Sequence, residues 1–217
     1  MKGNKNYGDE KMNIKYYPLN HLGTNCYFVY DKEKAVIIDP SGEPEIIFEE
    51  IENLDVKVIA VFLTHAHWDH ILALDEVVTK YNVNVYMGRN EEDWLKEPTK
   101  NLSVRASEEI GHLVYDIEPI ILDEGEHKID GIAFSVLETP GHSPGSLSYV
   151  FDGYIVSGDV LFNGGIGRTD LPGSNHPELI TSIEEKLFKL PDDTVVYPGH
   201  GDSTTIGYEK QNNPFFN

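Results

Sequence analysis

Three imidazoles and one carboxylate are packed into the stretch Thr64-His65-Ala66-His67-Trp68-Asp69-His70. Imidazole nitrogens and carboxylate oxygens are the usual ligands of divalent cations. Alternate residues of an extended turn project to one side, so His65 and His67 can face one point while Asp69 and His70 reach a second one nearby. Crowded imidazoliums repel one another, so such a cluster is stable chiefly where metal replaces the protons. Three more residues share this setting. His142 lies in Thr139-Pro140-Gly141-His142-Ser143-Pro144-Gly145, Asp159 in Ser157-Gly158-Asp159, and His200 in Tyr197-Pro198-Gly199-His200-Gly201. Each is a nitrogen or oxygen ligand on a loop shaped by Gly or Pro after an apolar run, where sites are commonly built. One such residue alone would read as a satisfied turn residue. The recurrence points to a metal centre.

The elements that must position these loops follow from apolar spacing. Residues 1–13 are polar and are expected to be a loose N-terminus; 14–217 reads as a single domain. Cys26–Tyr30 and Ala35–Ile38 are expected strands on either side of Asp31–Lys34. Glu43–Asn53 sets Ile46, Ile47 and Ile51 at helical spacing, and Val56–Thr64 is a β-branched run that reads as a buried strand. Asp69 can cap a helix carrying Ile71, Leu72, Leu74, Val77, Val78 and Tyr81. Val83–Met87 is another strand, and 88–119 is a long excursion near the site. Strand pattern resumes over Ile129–Glu138, and Leu147–Phe151 and Tyr154–Ser157 flank the hairpin turn Asp152-Gly153. A Gly-rich loop, Asn163–Gly167, precedes a helix over Pro177–Leu190 and a last strand over Thr194–Tyr197. The fold class is α+β.

Composition limits the partners. Hydrophobic residues make up 40% and charged residues 25%, enough to build a core without staples. The net charge of −20 repels phosphate backbones and anionic lipid, so nucleic acid and membranes are not expected partners. Cys26, the lone cysteine, has no disulfide partner in the chain. The first twenty residues lack the apolar stretch of a secretory signal, and a cytoplasmic location is expected. Nothing in the pattern specifies an oligomeric state.

The pattern His-x-His-x-Asp-His, followed by His142, Asp159 and His200, resembles the metallo-β-lactamase superfamily from about Asn25 to Phe215. The resemblance implies a four-layer αββα sandwich with two metal ions at one edge. It places His65, His67 and His142 on one ion, Asp69, His70 and His200 on the other, and Asp159 between them. Asp39 matches an early acidic position that supports the histidine loop, although a plain turn Asp before Pro40 is the alternative. With carboxylate and imidazole but no thiolate, the site suits zinc first, with iron or manganese as alternatives.

Within that superfamily Thr139–Ser146, Gly158–Phe162, Gly165–Gly173 and Pro198–Phe215 resemble the short glyoxalase II (hydroxyacylglutathione hydrolase) enzymes. That likeness implies a small acyl-thioester substrate cleaved by a hydroxide shared between the two metals, with Asp69 and Asp159 taking part in catalysis. Positions 201–217 are too few for the glutathione-binding domain of the long enzymes, so the identity of the thiol stays open. Arg168 is either an ion pair with an acid such as Asp170 or a contact to a substrate carboxylate. The segment Gly141-His142-Ser143-Pro144-Gly145 matches G-x-S-x-G, but Pro144 has no N–H for an oxyanion, so a serine hydrolase is rejected. The rival reading is a persulfide dioxygenase of the same superfamily, using one iron on His65, His142 and Asp159. Its relatives share Gly-Arg-Thr-Asp but read Pro-Ala-His-Asp where this chain has Pro-Gly-His-Gly.

Overall fold

Two six-stranded sheets face each other, with helices on their outer faces. The computed structural model describes residues 12–217. The first sheet runs in chain order through β1 (Asn13–Leu19), β2 (Thr24–Tyr30), β3 (Lys34–Ile38), β4 (Lys57–Phe62), β5 (Asn84–Met87) and β6 (Ile120–Ile121). Its first three strands are antiparallel and its last four parallel, β3 belonging to both runs. The second half of the chain supplies β7 (Gly125–Ile129), β8 (Ile132–Glu138), β9 (Leu147–Phe151) and β10 (Tyr154–Gly158). After the small hairpin of β11 (Leu161–Phe162) and β12 (Gly165–Ile166) come β13 (Val195–Pro198) and β14 (Thr204–Thr205). The second sheet has the order β14-β13-β10-β9-β8-β7.

Both faces of each sheet are covered, which explains why the strands read as continuous apolar runs. Along β2, Cys26 and Phe28 point to one layer while Tyr27 and Val29 point to the other. The first layer packs beneath α1 (Pro44–Leu54) and α2 (Leu74–Tyr81), where Ile47, Ile51, Leu74 and Val77 are buried. The second lies between the sheets and includes Phe62, Phe134 and Tyr149, with ring centroids 4.8–5.0 Å from Phe62. A short α3 (Ser107–Ile110) lies within the excursion between β5 and β6. The outer face of the second sheet, with Val150 and Ile155, packs under α4 (His176–Glu185) and α5 (Ile206–Asn212) through Leu179, Ile183 and Ile206. The Asn175 side chain accepts from Glu178 N–H and Pro177 sits in the first turn of α4, a start worth about 1 kcal/mol. The layers are α, β, β, α.

Several expectations need adjusting. Asn13 is the first residue of β1, so the loose N-terminus does not extend to it; residues 1–11 lie outside the described residues. Asp69 caps no helix. It sits in a 3₁₀ turn, Trp68–His70, because its carboxylate is engaged by Thr24, and α2 begins only at Leu74 after Ala73. The helix expected over Pro177–Leu190 ends at Glu185 and continues as a separate turn, Leu187–Lys189. No helix among the described residues is long and apolar enough to cross a membrane.

Candidate metal centre

The site loops all leave the C-terminal ends of strands: Asp39 after β3, His65–His70 after β4, His142 after β8, Asp159 after β10 and His200 after β13. The structure brings all seven ligand-type residues together. Their donor atoms form three overlapping triplets, each within 4.8 Å: His65, His67 and His142; His65, His70 and Asp159; Asp69, His70 and His200. Asp159 faces both ends of the cluster. Its Oδ1 is 3.5 Å from His70 Nε2, and its Oδ2 is 3.6 Å from both His142 Nε2 and His200 Nε2. Asp69 Oδ2 is 3.3 Å from His200 Nε2 and 3.6 Å from His70 Nε2.

Partners on the far side of each ring decide which nitrogen is free. His70 Nδ1 donates to Asp39 Oδ2 at 2.9 Å. Asp39 also accepts from Thr64 N–H (2.7 Å) and from the Thr64 hydroxyl (2.6 Å). With its proton on Asp39, that hydroxyl is left to accept from His65 Nδ1 at 3.1 Å. His142 Nδ1 donates to the Arg168 carbonyl at 2.9 Å, and His200 Nδ1 to the Leu22 carbonyl at 3.3 Å. Four imidazoles are thereby oriented with Nε2 as the unshared lone pair, facing the cluster. The fifth, His67, presents Nδ1, 3.0 Å from His142 Nε2. His65 Nε2, His70 Nε2 and Asp159 Oδ1 are buried without a hydrogen-bond partner among the described residues. Buried polar atoms are costly when unpaired, so lone pairs converging this way fit divalent cations.

The charges divide in two. Burial, reinforced by neighbouring imidazoles, holds His65 well below the ordinary histidine range, and burial takes His67 down to about 3. His142 is lowered by burial as well. All three shifts favour the neutral ring. At His70 burial opposes protonation, but Asp69, Asp159 and Asp39 outweigh it and push its pKa well up. His200 is also raised, the bond to Asp69 and the Asp159 charge overcoming burial. Burial opposes ionisation of Asp69 and Asp159 too, yet the adjacent His70 charge carries Asp69 to about 2 and Asp159 well below the carboxylate range. The upward shifts at His70 and His200 favour protons where cations would otherwise balance the carboxylates, and metal binding would displace such protons.

Glycines let the loops close. A Cβ on Gly199 would lie 2.0 Å from Asp159 Oδ1, and one on Gly167 1.9 Å from the Asp159 carbonyl. Gly158 has φ +54°, and a Cβ there would meet Thr64 Oγ1 at 2.5 Å. Thr24 Oγ1 donates to Asp69 Oδ2 at 2.9 Å, and the Asn25 amide donates to the carbonyls of Pro198 and Gly201, steadying the His200 loop. Sequence reading missed Thr24, Asn25 and the buried Glu91. Only the polarity of Glu91, immediately beyond a strand, could have signalled it.

The cluster floors a cleft of about 180 Å³ walled by Leu22, Trp68, Leu102 and Leu171, with Arg105 and Arg168 also lining it. Arg168 makes a bidentate pair with Asp170, both bonds 2.7 Å, on the exposed rim. His21 is an exposed rim residue stacked on Trp68 (centroids 5.6 Å apart), while His112, His127 and His176 contribute to none of the triplets.

The Metallo-beta-lactamase superfamily model matches residues 19–200, and the chain belongs to that superfamily. It is 43% identical to the probable metallo-hydrolase YqgX of Bacillus subtilis, over 95% of this chain and 98% of that one. It is 41% identical to the hydroxyacylglutathione hydrolase GloC of Haemophilus influenzae, over 95% and 99% of the two chains. Among solved structures, the B3 metallo-beta-lactamase BLEG-1 superposes with a TM-score of 0.89 at 41% identity, covering 94% of this chain and 99% of the other. TTHA1623 in a di-iron-bound form gives 0.82 at 35% identity, covering 93% and 99%. ETHE1 from Myxococcus xanthus gives 0.77 at 29% identity, covering 94% and 84%. The four-layer αββα sandwich is thus the superfamily's fold, and membership of it supports a metal-dependent hydrolase.

Proposed function

We propose that this chain is a dinuclear metal-dependent hydrolase of acyl thioesters of the S-hydroxyacyl-glutathione type, with residues 13–217 acting as one domain. The observation that carries this reading is the convergence of both triplets on the Asp159 carboxylate, whose Oδ2 lies 3.6 Å from His142 Nε2 and from His200 Nε2. His65, His67 and His142 would hold one divalent ion and Asp69, His70 and His200 the other, with Asp159 shared. Zinc is the first choice for both; iron, present in the TTHA1623 structure, and manganese suit the same ligands. Bound ions of this kind polarise a carbonyl and make water acidic enough to attack it near neutral pH.

The chain's own residues prepare that attack. Asp39 and Thr64 hold the rings of His70 and His65 in one tautomer, and the Arg168 carbonyl does so for His142. Asp69 keeps its carboxylate ionised at the floor of the cleft, where it can accept a hydrogen bond from the attacking water while Thr24 fixes its orientation. The apolar walls of the cleft exclude bulk water from one side of a small acyl group. Cys26 is buried in the core, away from any substrate. The choice of thioesters is supported by likeness to GloC and by the resemblance of the loops around His142, Asp159 and His200 to those of short glyoxalase II enzymes. The acidic surface and lone buried cysteine support a cytoplasmic location.

ETHE1 similarity favours a second reading, a mononuclear-iron persulfide dioxygenase. Against it stands the complete second triplet of Asp69, His70 and His200, which a single ion on His65, His142 and Asp159 would leave unused. Thiol release from S-lactoyl-glutathione by metal-loaded protein under anaerobic conditions tests the choice. Turnover without dioxygen is expected. Oxygen uptake with glutathione persulfide, and no thiol release from thioesters, would replace the hydrolase with the dioxygenase.

A further inference from the structure

One buried carboxylate joins the loop carrying His67 to the loop carrying His142. Glu91 lies in the helical turn Arg89–Lys96, just beyond β5, and is fully buried. Its Oε2 accepts Ala66 N–H at 2.7 Å, and its Oε1 accepts Gly145 N–H at 2.7 Å. Ala66 is the residue between His65 and His67, and Gly145 closes the turn that His142 begins. Packing leaves little latitude in this arrangement. A Cβ on Gly145 would lie 2.8 Å from Glu91 Cγ, and one on Gly88 would lie 2.1 Å from the Gly145 carbonyl oxygen. Three residues beyond Glu91, the Trp94 ring lies against His67, with centroids 5.6 Å apart.

Asp39 serves other ligands: it holds His70 directly and His65 through Thr64. Among the described residues, no carboxylate orients the rings of His67 and His142 from behind. Their 3.0 Å approach, Nδ1 to Nε2, depends on the spacing of two loops that lie far apart in sequence. We propose that Glu91 is the positioning residue of the three-histidine site, setting the distance between His67 and His142 without binding metal or substrate. The inference rests on the metal centre described above. Two buried carboxylates then divide the work, Asp39 orienting rings and Glu91 spacing loops.

Glutamine in this place has one acceptor oxygen and an NH₂ group that confronts a backbone N–H, so Glu91→Gln breaks one of the two bonds. Metal-free protein titrated with Zn²⁺ against a chromophoric chelator reads both binding constants without any substrate. In Glu91→Gln one constant is expected to weaken about 10- to 100-fold, the range for residues that support ligands, while the other holds. His200→Ala removes a ligand of the other triplet, and adding Glu91→Gln to it should weaken the remaining site by the same factor. Both constants falling together, or neither falling, would overturn the inference. Glu91→Asp keeps two acceptors on a shorter arm and covers the case in which the glutamine variant fails to fold; it should weaken the same site. Failure of both variants to fold would show that Glu91 supports the whole molecule and would also overturn it. Wild-type protein that binds no ion fails at the first titration, so a fault in the metal centre is told apart from a fault in the role of Glu91.

Discussion

His70 Nδ1 donates to Asp39 Oδ2 at 2.9 Å, with both side chains buried, and this bond leaves Nε2 as the nitrogen that faces Asp69 and Asp159. The same carboxylate takes two donors from Thr64, one of them the hydroxyl that orients His65. A single side chain therefore fixes the tautomer of two candidate ligands, His70 directly and His65 through Thr64. Asp39→Asn offers one acceptor oxygen to three donors and strands at least one of them in the interior, at a cost of about 1–3 kcal/mol. Its metal affinity should fall about 10- to 100-fold in a chelator titration. An unchanged affinity would mean that the rings are held by packing alone.

Gly199→Ala isolates sterics at the shared carboxylate. Gly199 has no positive φ, so the new Cβ adds no backbone strain, but it would lie 2.0 Å from Asp159 Oδ1 and 2.8 Å from His70 Cε1. Thioester turnover should drop at least tenfold, equivalent to about 1.4 kcal/mol in the barrier. Thermal melts should show whether the loss of activity exceeds the loss of stability. Turnover close to wild type would place the reacting atoms away from Asp159.

Two of the chain's three arginines, Arg105 and Arg168, line the cleft of a strongly acidic protein. Arg168 is engaged by Asp170, whereas Arg105 has no ion pair among the described residues. Arg105→Ala should therefore raise KM for a thioester carrying a carboxylate more than Arg168→Ala does. A neutral thioester of the same acyl group should respond to neither. Equal effects of Arg105→Ala on both substrates would remove charge recognition from the account.

Cys26 sits at 0% exposure on β2, and burial raises its thiol well above the ordinary range. A raised thiol pKa keeps the unreactive SH form at neutral and mildly alkaline pH. Native protein at pH 8 should resist an alkylating reagent that labels the denatured chain fully. Rapid native labelling, with activity lost in step, would make Cys26 part of the chemistry.

The ligand types were legible in the sequence because metal chemistry restricts them to a few residues, which recur on Gly/Pro loops after apolar runs. β2, β3, β9 and β10 were legible because burial on both faces demands unbroken apolar stretches. β1 was not, since Asn13–Leu19 pairs along one side only and keeps polar and half-buried residues. Asp69 looked like a helix cap from spacing alone, but a contact from Thr24, far away in the chain, turns its carboxylate into the site. Glu91 lay within a stretch without periodicity, and its two backbone partners belong to other loops. The tight glycines at 158, 167 and 199 were visible as motif letters, while their reason, the space taken by Asp159 and Thr64, exists only in three dimensions.

The number of ions per chain at full activity tests the central claim most directly. Protein stripped of metal, reloaded in steps and assayed for thioester cleavage at each step should gain activity up to two ions per chain. Asp159→Ala should fall well short of that plateau and lose activity by orders of magnitude. Full wild-type activity reached at one ion per chain, with no further binding, would contradict a shared dinuclear centre.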